Sequence, residues 1–240
     1  NDESHVLREK WNGKDDHLLN FSHHGKPVFL DGIALQDSLG FLIGDPVDGD
    51  FALYRSQNFG ESWEACPGKV NSQANEAAYA ASGTTNHIID GDFVFISGGE
   101  TTRFIWSEDL GTSWQSVKIP FESCKTCGAY SLAYKNRKEL VAVGGDYTRP
   151  NESVNTCFYS LDGGQSWQAS KNPPSGYRSS VIYAKGVYYA CGTNGIDYST
   201  DHGQNWLRIS TENGLSMCTD KKYLYISCMK GKVLKMKLMK

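Results

Sequence analysis

Ser160-Leu161-Asp162-Gly163-Gly164-Gln165-Ser166-Trp167 is one of four versions of the same eight-residue phrase. The others are Ser56-Gln57-Asn58-Phe59-Gly60-Glu61-Ser62-Trp63, Ser107-Glu108-Asp109-Leu110-Gly111-Thr112-Ser113-Trp114 and Ser199-Thr200-Asp201-His202-Gly203-Gln204-Asn205-Trp206. The shared pattern is Ser-x-Asp-x-Gly-x-(Ser/Thr)-Trp, with Asn58 in the Asp place of the first copy and Asn205 in the Ser/Thr place of the last. A carboxylate at that place accepts hydrogen bonds from backbone N–H groups of its own turn. The glycine takes a positive-φ conformation that a side chain resists. The tryptophan opens the next strand and buries a large flat surface between neighbouring sheets. Asn58, Asp109, Asp162 and Asp201, with Trp63, Trp114, Trp167 and Trp206, therefore read as structural residues of a repeated turn, the Asp-box.

Steps of 51, 53 and 39 residues separate Ser56, Ser107, Ser160 and Ser199. Periods of about 40–50 residues holding several short strands each are the mark of propeller blades. A single blade cannot bury both faces of its sheet, so it needs neighbours on both sides. The fold class is all-β, a β-propeller of about five four-stranded blades forming one domain over residues 1–240.

Placing each box between the third and fourth strands of a blade sets the boundaries. The blades fall near 28–69, 75–120, 128–172 and 177–210, and a remnant of three strands occupies 215–238. In the second blade the reading puts the first strand at Ala77–Ala81. Val6–Trp11 is apolar and strand-like, and a strand from one terminus that completes the blade at the other removes an exposed edge. The expectation is that it closes the last blade. Residues 12–27, with His17, His23 and His24, read as a solvated polar connection.

The chain has 240 residues, a formal net charge of −3, 12% aromatic residues and 25 glycines, as many short strands joined by tight turns require. That charge gives no broad electrostatic case for nucleic acid. The alternation of Lys230, Lys232, Lys235, Lys237 and Lys240 with Val233, Met236 and Leu238 reads as one solvated face of a strand. No apolar run approaches the roughly 18 residues of a membrane span. The absence of an initiator Met fits either a mature product from which a targeting segment has been removed or a truncated one in which earlier blades precede Asn1. Seven cysteines are present. Cys218 and Cys228 flank a hairpin and are placed to pair in an oxidising compartment, while Cys157 and Cys191 read as buried thiols. Cys124-Lys125-Thr126-Cys127 lacks the second ligand pair of a zinc site and the βαβ setting of a thioredoxin site, so neither metal nor cofactor is expected. The sequons Asn20-Phe21-Ser22 and Asn151-Glu152-Ser153 matter only in a secreted eukaryotic chain.

Beyond the boxes, five phrases resemble a particular family: Gly44-Asp45-Pro46-Val47-Asp48-Gly49, Ala80-Ala81-Ser82-Gly83-Thr84, Val143-Gly144-Gly145-Asp146-Tyr147-Thr148-Arg149-Pro150, Pro173-Pro174-Ser175-Gly176-Tyr177-Arg178-Ser179 and Gly195-Ile196-Asp197-Tyr198-Ser199. They are similar to the bacterial proteins described as photosystem II stability/assembly factor-like, over most of the chain from Phe29 onward. The resemblance implies an exported, periplasmic or extracellular propeller that acts as an assembly scaffold. It supplies no chemistry.

Strand connectivity sends the loops between second and third strands, and those joining blades, to the face opposite the boxes. The family phrases lie in those loops. That face collects Arg103, Asp146, Arg149, Arg178 and Asp197 as candidate ligand-binding residues for a protein partner or an anionic glycan, since guanidinium forks grip carboxylates bidentately. The bland reading is that these groups hold the loops by pairing with one another, Asp146 with Arg149 or Glu76 with Arg178. An enzyme on this frame would be a sialidase-like hydrolase, with a Tyr nucleophile. Tyr147 or Tyr177 would attack, activated by Glu76, and Asp45 or Asp48 would serve as acid/base. A lectin with one sugar site per blade is the third reading, but the corresponding loops differ from blade to blade. The reading that needs least is a binding scaffold without catalysis.

Overall fold

The computed structural model describes residues 4–8, 17–220 and 222–239, and the side chains from residue 20 onward. Among the described residues six antiparallel sheets of three or four strands follow one another along the chain, with a seventh, two-stranded sheet beside the third. The N-terminal sheet consists of β1 (Ser4–Arg8), β2 (His17–His23) and β3 (Lys26–Pro27). Blade 1 consists of β4 (Leu30–Gln36), β5 (Leu39–Val47), β6 (Asp50–Ser56) and β7 (Glu64–Ala65). A short strand, β8 (Glu76–Ala77), leads to blade 2, built from β9 (Asn86–Ile89), β10 (Asp92–Ile96), β12 (Arg103–Ser107) and β13 (Gln115–Lys118), with β11 (Gly98–Gly99) pairing back to β8. Blade 3 is β14 (Ala129–Tyr134), β15 (Leu140–Gly144), β16 (Cys157–Ser160) and β17 (Gln168–Ala169). Blade 4 is β18 (Ser180–Ala184), β19 (Val187–Gly192), β20 (Gly195–Ser199) and β21 (Leu207–Ser210). The C-terminal sheet is β22 (Ser216–Thr219), β23 (Tyr223–Ser227) and β24 (Val233–Lys237).

The molecule is an Asp-box β-propeller, and each box works as one hydrogen-bonded unit. In blade 3 the Ser160 hydroxyl donates to Asp162 Oδ1 at 2.7 Å and accepts from the Gly164 N–H at 2.8 Å. The same Asp162 oxygen accepts the Ser166 N–H at 3.0 Å. The other three boxes repeat this scheme. Asn58 keeps it because its Oδ1 still accepts the Ser62 N–H, while its amide donates to the Ser62 hydroxyl. In blade 2, hydrogen bonds from the Ser113 hydroxyl and N–H and from the Ser107 hydroxyl hold the Asp109 carboxyl down at about 2.

Each box also presses backward onto the sheet before it. Trp114 of blade 2 lies 5.7 Å from Phe41 of blade 1, and Trp167 of blade 3 lies 5.6 Å from Phe104 of blade 2. Trp206 of blade 4 is buried among Val141, Tyr159 and Ala133 of blade 3. The glycines sit equally close: a Cβ on Gly111 would meet Cys66 Sγ at 2.6 Å, and one on Gly164 would land on the Phe104 ring. Five apolar clusters, one per interface, bind the six sheets together.

Three expectations are corrected. β1 pairs with β2, Ser4 opposite Phe21 through Arg8 opposite His17, and not with the last sheet. Residues 9–11 of the anticipated strand lie outside the described residues. The reason is visible at Trp63, which needs a preceding sheet: Phe21 supplies it, buried with its ring 4.9 Å from Tyr54 and 6.3 Å from Trp63. For the same reason His17–His23 is a strand and not part of a solvated connection; residues 12–16 lie outside the described residues. In blade 2 the first strand is Asn86–Ile89, because Ile88 and Ile89 carry the apolar face that Ala77–Ala81 lacks. The remaining strands fall within a few residues of their expected places.

The paired glycines of blade 3 give a test. Gly163 and Gly164 both have positive φ, 80° and 89°, yet Phe59, Leu110 and His202 occupy the Gly163 place in the other boxes at similar φ. Gly163→Ala is therefore expected to cost about 1–2 kcal/mol, the strain of a left-handed alanine and no more. Gly164→Ala, which drives a methyl into Phe104, should cost about 1–3 kcal/mol from overpacking alone. Urea denaturation of the two variants checks the difference.

Candidate functional site

The loop face opposite the boxes is built from three charged clusters and one aromatic one. Glu76 enters on β8, buried, and Arg103 opens β12; Nε and Nη2 of Arg103 donate to the two Glu76 oxygens, both at 2.8 Å. The Gln73 N–H and the Ser97 hydroxyl take the remaining Glu76 lone pairs, and Arg103 also donates to the Asn71 carbonyl at 2.8 Å. Arg178, just before β18, is 0% exposed. Its Nε and Nη2 both donate to Asp197 Oδ2 on β20, and its Nη1 donates to the Tyr177 carbonyl at 2.7 Å and to Asn194 Oδ1 at 2.6 Å. The expected Glu76–Arg178 pair does not form; each residue finds its partner within its own blade. The two blades use one arrangement with the charges exchanged, acid before the first strand in blade 2 and base in blade 4.

Asp146 and Arg149 pair as the bland reading required. Arg149 Nε donates to Asp146 Oδ2 at 2.7 Å, and the Thr148 N–H and hydroxyl donate to Oδ1 at 2.9 and 2.8 Å. Burial alone would raise the Asp146 carboxyl; the Arg149 guanidinium and the Thr148 donors overcome it and hold it at about 2. Arg149 reaches outward as well, to Glu152 at 2.7 Å and Glu122 at 3.0 Å. All three arginines are thus held by carboxylates of this chain.

Asp48 is exposed and accepts from Lys26 Nζ at 2.6 Å. Asp45, half-buried, accepts the Ala78 N–H at 3.1 Å. Tyr177 is buried, which pushes its hydroxyl up and away from the ionised form a nucleophile needs. Tyr147 is 53% exposed. With both Glu76 oxygens bound by Arg103, Ser97 and Gln73, that carboxylate is not placed to activate either tyrosine.

Sequence reasoning missed the centre of this face. The Tyr79 and Tyr130 rings stack with centroids 4.1 Å apart and planes 11° from parallel, and Tyr177 stands edge-on to Tyr130 at 4.9 Å. Burial raises the hydroxyls of Tyr79, Tyr130 and Tyr177, and Tyr147 is near enough to add a little to each. Below them Cys124 and Cys127 form a disulfide. Cys218 and Cys228, expected to pair, are both free, because Cys218 faces Tyr225 across the hairpin and Cys228 lies beyond the last rung. The spacing of Tyr79 and Tyr130 by one blade was the signal available. Between the first strands β9, β14 and β18 lies a cavity of about 320 Å³ lined in part by Thr84, His87, Leu132 and Tyr183. Burial lowers the His87 imidazole, which donates from Nε2 to the Leu132 carbonyl at 2.6 Å.

Two stability tests follow from these charges. Asp31, beneath Asp45, is buried, and its Oδ2 has no partner; burial and the Asp45 carboxylate push it up to about 8. The folded chain therefore holds a proton that the unfolded chain releases near 3.8. The stability it contributes is full below about pH 4 and is lost as pH rises toward about 8. Asp31→Asn is expected to flatten that fall and raise Tm at pH 8, read from thermal scans across the range. Arg178→Ala leaves Asp197 charged and buried and should cost about 3–5 kcal/mol in a urea titration, whereas Arg149→Ala uncovers a buried Asp146 that keeps its Thr148 donors and should cost less, about 1–3 kcal/mol.

Comparison with known proteins adds three findings. The family model described as Sortilin, neurotensin receptor 3 (Sortilin-Vps10) matches residues 52–184, more than half of the chain. A vacuolar protein sorting/targeting protein 10 from Lodderomyces elongisporus is 27% identical over 148 residues, which cover 50% of this chain and 10% of that protein. The chain thus spans about a tenth of that relative's length. Among solved structures, YCF48 bound to D1 peptide matches with a TM-score of 0.65 at 14% identity, over 98% of this chain and 71% of that one. The GH74 enzyme of Niastella koreensis matches with a TM-score of 0.63 at 11% identity, over 82% and 33%. At these identities the structural likenesses establish the fold alone, and an assembly factor and an enzyme share it equally. The loop phrases pointed to photosystem II assembly factors, and YCF48 is one.

Proposed function

The chain belongs to the Sortilin-Vps10 family, and from that premise we propose that it is a non-catalytic, exported propeller that holds a peptide segment of a protein partner on the loop face opposite the Asp-boxes. The observation that carries this reading is Tyr147, exposed beside the Tyr79–Tyr130–Tyr177 cluster and next in the chain to the Asp146–Arg149 ion pair. A partly covered aromatic centre inside a polar rim is the usual make-up of a protein-binding hot spot. The names of the relatives point the same way: a neurotensin receptor, a sorting protein and an assembly factor bound to a peptide all handle polypeptides. The Cys124–Cys127 disulfide suits an oxidising compartment.

An anionic sugar fits less well. Arg103, Arg149 and Arg178 already hold carboxylates, and a ligand carboxylate would have to displace one, leaving it unpaired.

Binding of the folded chain to an array of overlapping peptides from secreted proteins tests the proposal. Tyr147→Ala should weaken captured peptides at least about tenfold, in line with about 2 kcal/mol for an aromatic hot spot. Gln165→Lys, on an exposed box turn, should leave them unchanged. Equal loss from both variants, or turnover of fluorogenic sialosides by the wild type, would sink the reading.

A further inference from the structure

The Cys124–Cys127 disulfide joins residues only 3 apart in sequence. Closing so short a loop removes little freedom from the unfolded chain, so the bond is a poor staple for the fold. Its surroundings suit another use. Cys124 is half-buried and open to an approaching thiol, whereas Cys127 is 1% exposed. Arg149 Nη2 donates toward Cys127 Sγ at 3.6 Å. Asp146 also faces the two sulfurs, but Arg149 neutralises it at 2.7 Å, and Glu122 pairs with the same guanidinium from outside. The other charge in the loop, Lys125, is exposed.

The loop is also tied to the aromatic centre. The Tyr79 hydroxyl is within hydrogen-bond reach of the Lys125 and Cys127 carbonyls, at 3.2 and 3.0 Å, and the Tyr130 hydroxyl donates to the Thr126 carbonyl at 2.7 Å. Three consecutive carbonyls of the Cys-x-x-Cys loop are thus held by the two stacked tyrosines. The Cys127 carbonyl also accepts the Gly99 N–H at 2.8 Å, anchoring the loop to blade 2.

We propose that Cys124 and Cys127 form a reversible thiol–disulfide exchange site for low-molecular-weight thiols, and that its redox state sets the packing of the Tyr79–Tyr130 stack. The thiolate of the reductant attacks Cys124 Sγ; the Cys124–Cys127 bond breaks, and its electron pair leaves on Cys127 Sγ, beside Arg149. A second reductant thiolate attacks the reductant's own sulfur in the mixed disulfide, releasing Cys124 as thiolate and the reductant as its disulfide. Two electrons enter the protein, and protons follow onto the two sulfurs. Arg149 is shared among Asp146, Glu122 and Glu152, so what it offers Cys127 Sγ is the N–H that points at it. A sulfur that accepts a hydrogen bond is the better leaving group, and attack at the less buried Cys124 is the productive direction. The loop, freed of its covalent closure, no longer fixes all three carbonyls under the tyrosines.

The test uses the whole folded chain in graded mixtures of reduced and oxidised glutathione, with alkylation and mass spectrometry of the peptide holding residues 124–127. The pair should open and reclose reversibly with the glutathione ratio while the far-ultraviolet dichroism stays constant. The near-ultraviolet tyrosine signal should move in step, and C124S/C127S should show the reduced signal without reductant. Arg149→Gln should shift the half-reduction ratio about tenfold toward more reducing mixtures. A bond that opens only when denaturant unfolds the chain, or one that opens with the tyrosine signal unmoved, overturns the proposal. These readouts need no partner, so their failure is distinct from a failure of the peptide array.

Discussion

Each of the four box-bearing blades leans on the sheet before it through the box that follows its third strand. The Ser–Asp–backbone network fixes the turn, the positive-φ glycine brings its backbone against the neighbouring sheet, and the tryptophan closes the gap behind it. The network is local and polar, and the packing is long-range and apolar, so neither stands in for the other. Where the preceding sheet carries Phe41, Phe104 or Val141, the glycine or tryptophan finds a ring or branched side chain to meet. The position of the loop face, and of everything on it, follows from this geometry.

On that face the charges pair with one another and stiffen the loops, while the tyrosines stack at its centre. Arg103 with Glu76 and Arg178 with Asp197 each tie the entrance of a blade to its third strand. Such pairs contribute little net stability against an apolar substitute, but breaking one is expensive. They resist change more than they add strength. The Asp31–Asp45 contact works in the opposite sense, a place where like charges are crowded and a proton is retained.

The fold was legible because the four boxes carry it in contiguous sequence: turn, glycine and tryptophan fall within eight residues, and the strands can be counted outward from them. Two things escaped. Ala77–Ala81 read as a strand because alanine and tyrosine fit one, yet the β-branched Ile88 and Ile89 win the inner position by burying more apolar surface. The N-terminal strand was assigned by the general need to cover an exposed edge, whereas Trp63, already quoted in the first box, called for a sheet on its other side. The site was partly legible. Arg103, Arg149 and Arg178 all lie in charged clusters; the Asp146–Arg149 pair could be read from its spacing of three residues, but the Glu76–Arg103 and Arg178–Asp197 pairs depend on which strands a blade brings together. The Tyr79–Tyr130 stack joins residues one blade apart, so no local phrase announces it; the Cys124–Cys127 phrase was visible, but its closure into a disulfide beneath that stack was not.

The backward reach of the tryptophans has a bearing on how the protein is made. Trp114, Trp167 and Trp206 each pack on side chains that precede them in the chain by one blade. During synthesis the N-terminal part emerges and folds first, so each box meets a surface that has already left the ribosome. No tryptophan of a box waits for a segment still to be translated. The propeller can therefore be laid down sheet by sheet in the order of its message, with one apolar face exposed at a time.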